Sequence, residues 1–181
     1  MRTEGSSITS AAHPPSISKL TRPPSFCHSI TPTLWSNTLS TNLTGAFNTT
    51  QAAAHQMVSQ SPQGGSIIGI SSISALVGGG QQGHYTPTKA GVLSLMQSCA
   101  VALGKYNIRC NALLPGTILT QLNEEDLVEG GSKRKYMDGR CALGRVGVPS
   151  VSCNLRLSCF SFFYPLLCGQ MCQLELVFKA C

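Results

Sequence analysis

Apolar residues return every three to four positions from Leu39 through Leu43, Ala46, Phe47, Ala53, Ala54 and Met57 to Val58. That spacing keeps one face of an α-helix buried. Thr31 ahead of Pro32 is a start signal: a capping hydroxyl precedes a residue whose missing N–H costs nothing in a first turn. One long helix is therefore predicted, running as far as SQSPQGG. The period then changes. In SIIGISSIS, residues 66–74, Ile67, Ile68, Ile70 and Ile73 stand between glycine clusters, which marks a short strand buried on both faces, as parallel strands are. A second helix is predicted from about His84 to Leu103, with Val92, Met96, Ala100 and Leu103 as its buried stripe. Pro87 is tolerable only near its start, and Gly104 supplies its stop. IRCNALL, residues 108–114, reads as a second buried strand, broken by Pro115 and Gly116. Helix, strand, helix and strand with short links give an α/β fold, part of a doubly wound parallel sheet.

Asn123 before three acidic residues is a good cap for a short helix, and SKRKYMDGR offers another short helical turn. Residues 1–28 carry two Pro-Pro pairs and no sustained period, and so read as a loose arm. Beyond Pro149 neither period is present. The apolar run CFSFFYPLLC there is about half of what a membrane span requires. Three regions are thus expected: an arm over 1–28, an ordered partial domain over 29–149, and a poorly ordered tail over 150–181.

Composition narrows the function classes. Charged residues make up 11% of the 181, against about 25% in an average soluble domain. The net charge of +6 is spread along the chain except at Lys133, Arg134 and Lys135, which lie near Glu124, Glu125, Asp126, Glu129 and Asp138. A solvated mixed-charge face explains them, so neither a nucleic acid nor a membrane is the expected partner. Nine cysteines occur without a Cys-x-x-Cys pair, and no apolar leader follows Met1 and Arg2. Reduced thiols and a cytoplasmic location are expected. His13, His28, His55 and His84 lack metal-ligand spacing, so no metal is expected.

The stretch GGGQQGHYTPTK, residues 78–89, supports two chemistries. Gly78-x-Gly80-x-x-Gly83 has the spacing of a dinucleotide-binding turn, which also needs an acidic residue about 20 positions on to hold the ribose. No Asp or Glu occurs between Glu4 and Glu124. The competing reading is Tyr85 and Lys89, one helical turn apart, where an ammonium beside a phenol favours the phenolate and lowers its pKa from about 10. Tyr85 then serves as a general base. Ser72, thirteen residues earlier at the end of the first strand, stands where open α/β sheets place their ligands.

NLTGAF, IIGISSISALVGG, HYTPTKAGV and IRCNALLPGTILT, in this order from about Phe26 to Pro149, resemble successive blocks of the short-chain dehydrogenase/reductase family. The resemblance implies a Rossmann-like fold, of which this chain holds the C-terminal half. It implies Tyr85 as catalytic acid/base and Lys89 as the residue that tunes the phenol and binds the nicotinamide ribose. Ser72 becomes the residue that orients substrate, and Asn42 the one that holds a relay water behind the lysine. Pro115, Gly116, Thr117, Ile118 and Thr120 match the segment beside the nicotinamide, and residues 121–145 match a mobile lid. Gly78, Gly79, Gly80 and Gly83 then form a flexible loop under the substrate. Within the family the run is most similar to sugar dehydrogenases that oxidise the anomeric hydroxyl of an aldose such as L-rhamnose to a lactone with NAD or NADP. Homo-oligomers, dimers or tetramers, are implied as well.

Two family blocks have no counterpart in the 181 residues: the Thr-Gly-x-x-x-Gly-x-Gly turn that binds pyrophosphate and the Asn-Asn-Ala-Gly block. Little or no turnover is therefore expected of these residues alone. The alternatives are a non-catalytic fragment that pairs with an intact relative through its two long helices, and a gene model that never folds.

Overall fold

The computed structural model describes residues 29–141 and 143–149. The expected arm and tail lie outside them. Helix α1, Pro32–Leu39, starts as its sequence predicts, with Leu34 N–H donating to Thr31 Oγ1 at 3.1 Å and proline in the first turn. The helix runs on without a break to Ser59, as its period predicts, but it contains a wide turn that the period does not show. Ser40–Thr44 forms a π-helical turn closed by Gly45 N–H on Ser40 O, and α2 resumes at Gly45–Ser59. The wide turn shifts the phase of the apolar stripe. Ala46, Thr50, Ala53 and Met57 face inward, while Phe47, expected inside, is 46% exposed.

Strands β1, Gly65–Ile70, and β2, Ile108–Leu113, pair in parallel with Gly65 opposite Ile108 and Ile70 opposite Leu113. Between them run a short helix α3, Ser74–Val77, and the long helix α4, Thr86–Leu103. One core cluster joins Ala53 and Met57 of α2, Ile67 of β1, Met96 of α4, and Ile108, Cys110 and Ala112 of β2, with Leu114 just beyond. Glycine inside β1 has a packing cause: a Cβ on Gly69 would stand 2.6 Å from Met96 Cγ and 3.1 Å from Val92 Cγ1. Only a bare backbone lets α4 lie this close to the sheet.

β1 ends at Ile70 rather than at residue 74. The Ser72 hydroxyl accepts from Ser74 N at 3.1 Å, a local turn that competes with extended chain and starts α3. Two bonds nevertheless carry the pairing onward, Ser71 N to Leu113 O at 2.8 Å and Ile73 N to Pro115 O at 3.0 Å. At the far end of α4, Gly104 keeps right-handed dihedrals and opens a 3₁₀ turn, Gly104–Tyr106. The stop is made by Asn107, at φ 59°, which tolerates the left-handed region.

The short helix expected after Asn123 is absent; residues 121–127 form turns. Asn123 folds its amide back instead, Oδ1 accepting from Thr120 N at 2.8 Å and Nδ2 donating to Ile118 O at 2.9 Å. Helix α5, Ser132–Arg140, does form. Its basic residues pair locally, Lys133 with Asp126 at 2.6 Å and Arg134 with Asp138 at 3.1 Å.

Candidate active site

The C-terminal ends of β1 and β2 and the first turn of α4 meet at one edge of the sheet. Tyr85 precedes α4 and Lys89 lies in its first turn, so the four-residue spacing puts both on one side. The Lys89 Nζ stands 5.5 Å from the Tyr85 ring centroid. It donates to Ile70 O at 3.0 Å, at the last residue of β1. The side chain is 6% exposed, and burial holds its pKa below 10.5. The Ser72 side chain acts on the Tyr85 phenol to lower its pKa, while its hydroxyl accepts from Ser74 N at 3.1 Å. The neighbouring Ser71, also buried, donates through Oγ to Lys89 O at 2.7 Å and so ties the strand end to the helix.

The expected acidic phenol is not what this arrangement produces. Burial raises the Tyr85 pKa above 10.0, and the Ser72 side chain offsets part of that rise. The ammonium above the ring hydrogen-bonds a carbonyl rather than the phenol oxygen, and it too is partly desolvated.

Asn42 lies in the π-helical turn and is 2% exposed. It does not meet Lys89 directly. Its Nδ2 donates to Thr88 Oγ1 at 3.2 Å, one residue before the lysine. The π turn is also close-packed on α4, where a Cβ on Gly91 would come within 2.9 Å of Leu43. Wide helical turns of this kind concentrate at functional sites.

Pro115, Gly116, Thr117, Ile118 and Thr120 continue from β2 and are half-buried. Pro115 O receives Ile73 N, which brings the segment beside Ser72. Thr117 O accepts from Gly147 N, and Gly147 O from Leu119 N, both at 2.9 Å, around a parallel bridge between Ile118 and Gly147. Helix α5 is fastened to this segment through Thr117 Oγ1, which donates to Met137 Sδ at 3.6 Å. Asp138 accepts from Val146 N at 2.7 Å and completes that attachment.

The family described as Enoyl-(Acyl carrier protein) reductase matches residues 18–159. The chain belongs to the short-chain dehydrogenase/reductase family. Among short-chain dehydrogenases similar to it, an L-rhamnose-1-dehydrogenase of Scheffersomyces stipitis is 70% identical over 120 residues, 66% of this chain and 46% of that protein. An L-rhamnose 1-dehydrogenase (NAD(P)(+)) of Azotobacter vinelandii is 62% identical over 116 residues, 64% of this chain and 44% of that protein. A solved gluconate 5-dehydrogenase of Burkholderia cenocepacia, in complex with NADP and tartrate, superposes with a TM-score of 0.68 at 28% identity. That match covers 74% of this chain and 51% of the other. The chain spans less than half the length of both rhamnose dehydrogenases.

Sequence reasoning passed over Ser71, Thr88 and Gln82. Thr88 carried a usable signal, since it precedes Val92 and Met96 on the buried stripe, where a polar residue needs a partner. Gln82 accepts from Ser74 Oγ at 2.9 Å and closes the glycine loop against α3. Among the described residues no cluster of His, Cys, Asp or Glu could hold a metal ion, and no helix is long and apolar enough to cross a membrane.

His84, next to Tyr85, is 5% exposed, and neither ring nitrogen has a hydrogen-bond partner. Burial lowers its pKa below 6.5, so the folded state favours the neutral ring. The unfolded chain binds the proton more readily, and stability should fall as pH drops through 6.5 toward the folded pKa. Melting temperatures recorded across that window should show this acid-side slope, and His84→Phe should flatten it. An unchanged slope in the variant would assign the effect to other groups.

Proposed function

We propose that this chain carries the catalytic residues of an NAD(P)-dependent sugar dehydrogenase that oxidises the anomeric hydroxyl of L-rhamnose, or of a closely related aldose, to the lactone. The observation that carries the reading is the Lys89 ammonium 5.5 Å from the Tyr85 ring centroid, with the Ser72 side chain lowering the pKa of the phenol. The similarity to the two rhamnose dehydrogenases supports the choice of sugar.

The residues present fit a nicotinamide cofactor. Lys89 spends one N–H on Ile70 O and has two more to offer ribose hydroxyls. The half-buried segment from Pro115 to Thr120 flanks the strand ends, the place where open α/β sheets bind nucleotides. A bound nicotinamide supplies the acceptor for the hydride that leaves the sugar C1. Ser72 orients the lactol oxygen, and Tyr85 takes the hydroxyl proton, so that the C1–O bond becomes the lactone carbonyl. Asn42 serves as the acceptor behind Lys89 for a relay water. A cytoplasmic location and a homo-oligomeric assembly belong to the same proposal.

Replacing the matched 120 residues of the Scheffersomyces stipitis relative with those of this chain tests it. The exchanged protein should still reduce NAD or NADP with L-rhamnose. A folded exchange protein that oxidises other alcohols but no aldose would overturn the reading.

A second reading is a pairing surface. Trp35 of α1 and Phe47 of α2 are 40% and 46% exposed, and Val101 of α4 is 76% exposed. Apolar side chains this open on adjacent helices suit a helical partner, either a second copy or an intact relative. Co-expression followed by size-exclusion chromatography decides: a stable heterodimer supports it, and separate elution ends it.

A further inference from the structure

We propose that Thr88 is a positioning residue whose hydroxyl sets which way the Asn42 carboxamide points. Thr88 is 1% exposed, and its Oγ1 lies 2.6 Å from Tyr85 O. A carbonyl carries no proton, so the hydrogen between these oxygens belongs to Thr88. The hydroxyl is then spent as a donor and has only lone pairs left. Asn42 reaches those lone pairs at 3.2 Å across a buried contact, and only its NH₂ end can satisfy them.

The two ends of a carboxamide have nearly the same shape, so packing alone does not choose between them. At 2% exposure there is little solvent to stabilise the wrong one, and an inverted amide would set two acceptors against each other. The chain of bonds therefore has a fixed sense, from Asn42 Nδ2 to Thr88 Oγ1 and from Thr88 to Tyr85 O. Its result is that the carboxamide oxygen turns away from Thr88 and stays free to accept. The same bonds clamp the backbone of Tyr85 to the π-helical turn, so one hydroxyl fixes both the base and the asparagine. Any consequence for catalysis rests on the dehydrogenase reading above, whereas the amide orientation does not.

Nuclear magnetic resonance of the intact chain is the test. In the unsubstituted protein, Overhauser contacts are expected between the Asn42 side-chain NH₂ protons and the Thr88 methyl group. In Thr88→Val, which keeps the shape and loses the hydroxyl, those NH₂ protons should exchange with solvent about tenfold faster. Thr88→Ser should restore exchange to about the original rate, which a purely space-filling role would not produce. Absence of the Overhauser contacts, or equal exchange in the valine and serine variants, overturns the assignment. Should Thr88→Val not fold, the contacts in the unsubstituted protein decide alone. An exchange protein that cannot oxidise L-rhamnose would remove the dehydrogenase reading and leave this one standing.

Discussion

Tyr85→Phe is expected to lower kcat for sugar oxidation by about 10²–10⁴-fold, the range typical of a lost general base, with little change in sugar KM. The substitution keeps the ring under Lys89 and deletes only the phenol oxygen. Steady-state kinetics on the exchange protein described above would measure it. The pH profile gives a second readout. Burial raises the Tyr85 pKa, so the phenolate fraction, and with it the rate, should still be climbing as pH approaches 10.0. A Tyr85→Phe protein that retains more than about a tenth of the rate would remove Tyr85 from the chemistry.

Met96→Ala is expected to cost about 2–5 kcal/mol of unfolding free energy, measured by urea denaturation. Met96 is 1% exposed and lies between α4 and the bare backbone of Gly69. Because the glycine has no side chain with which to fill the space, the cavity cannot collapse easily. Domains of this size have only about 5–15 kcal/mol in total, so the loss is a large share. A fall below about 1 kcal/mol would mean that the sheet and α4 close the gap by moving together.

Local signals were legible wherever one residue's chemistry decides the outcome. Thr31 and Pro32 start α1, the isoleucine run makes β1, and Tyr85 and Lys89 lie at the head of α4, because capping, β-branching and helical spacing act over a few residues. The π-helical turn was not legible, since what sets it is contact between α4 and the turn, Thr88 against Asn42 and Gly91 against Leu43. The pKa of Tyr85 failed for a related reason. Spacing along a helix tells that an ammonium is near, but not that tertiary packing buries the phenol or turns the ammonium to Ile70 O. Asn123 marks a different limit, a competition within one local segment: a capping residue followed by acids predicts a helix, yet its amide bonds back to Thr120 N and Ile118 O.

The hydrogen bonds that carry the β1–β2 pairing past its last residues, from Ser71 to Leu113 and from Ile73 to Pro115, enclose Ser72 between them. No hinge separates scaffold from chemistry here. A fluctuation that unzips the ladder from this end displaces the substrate-orienting hydroxyl before it disturbs Met57 or Ile67. Amide protons at Ser71 and Ile73 are thus natural reporters, and their protection should rise with any ligand that settles against Tyr85.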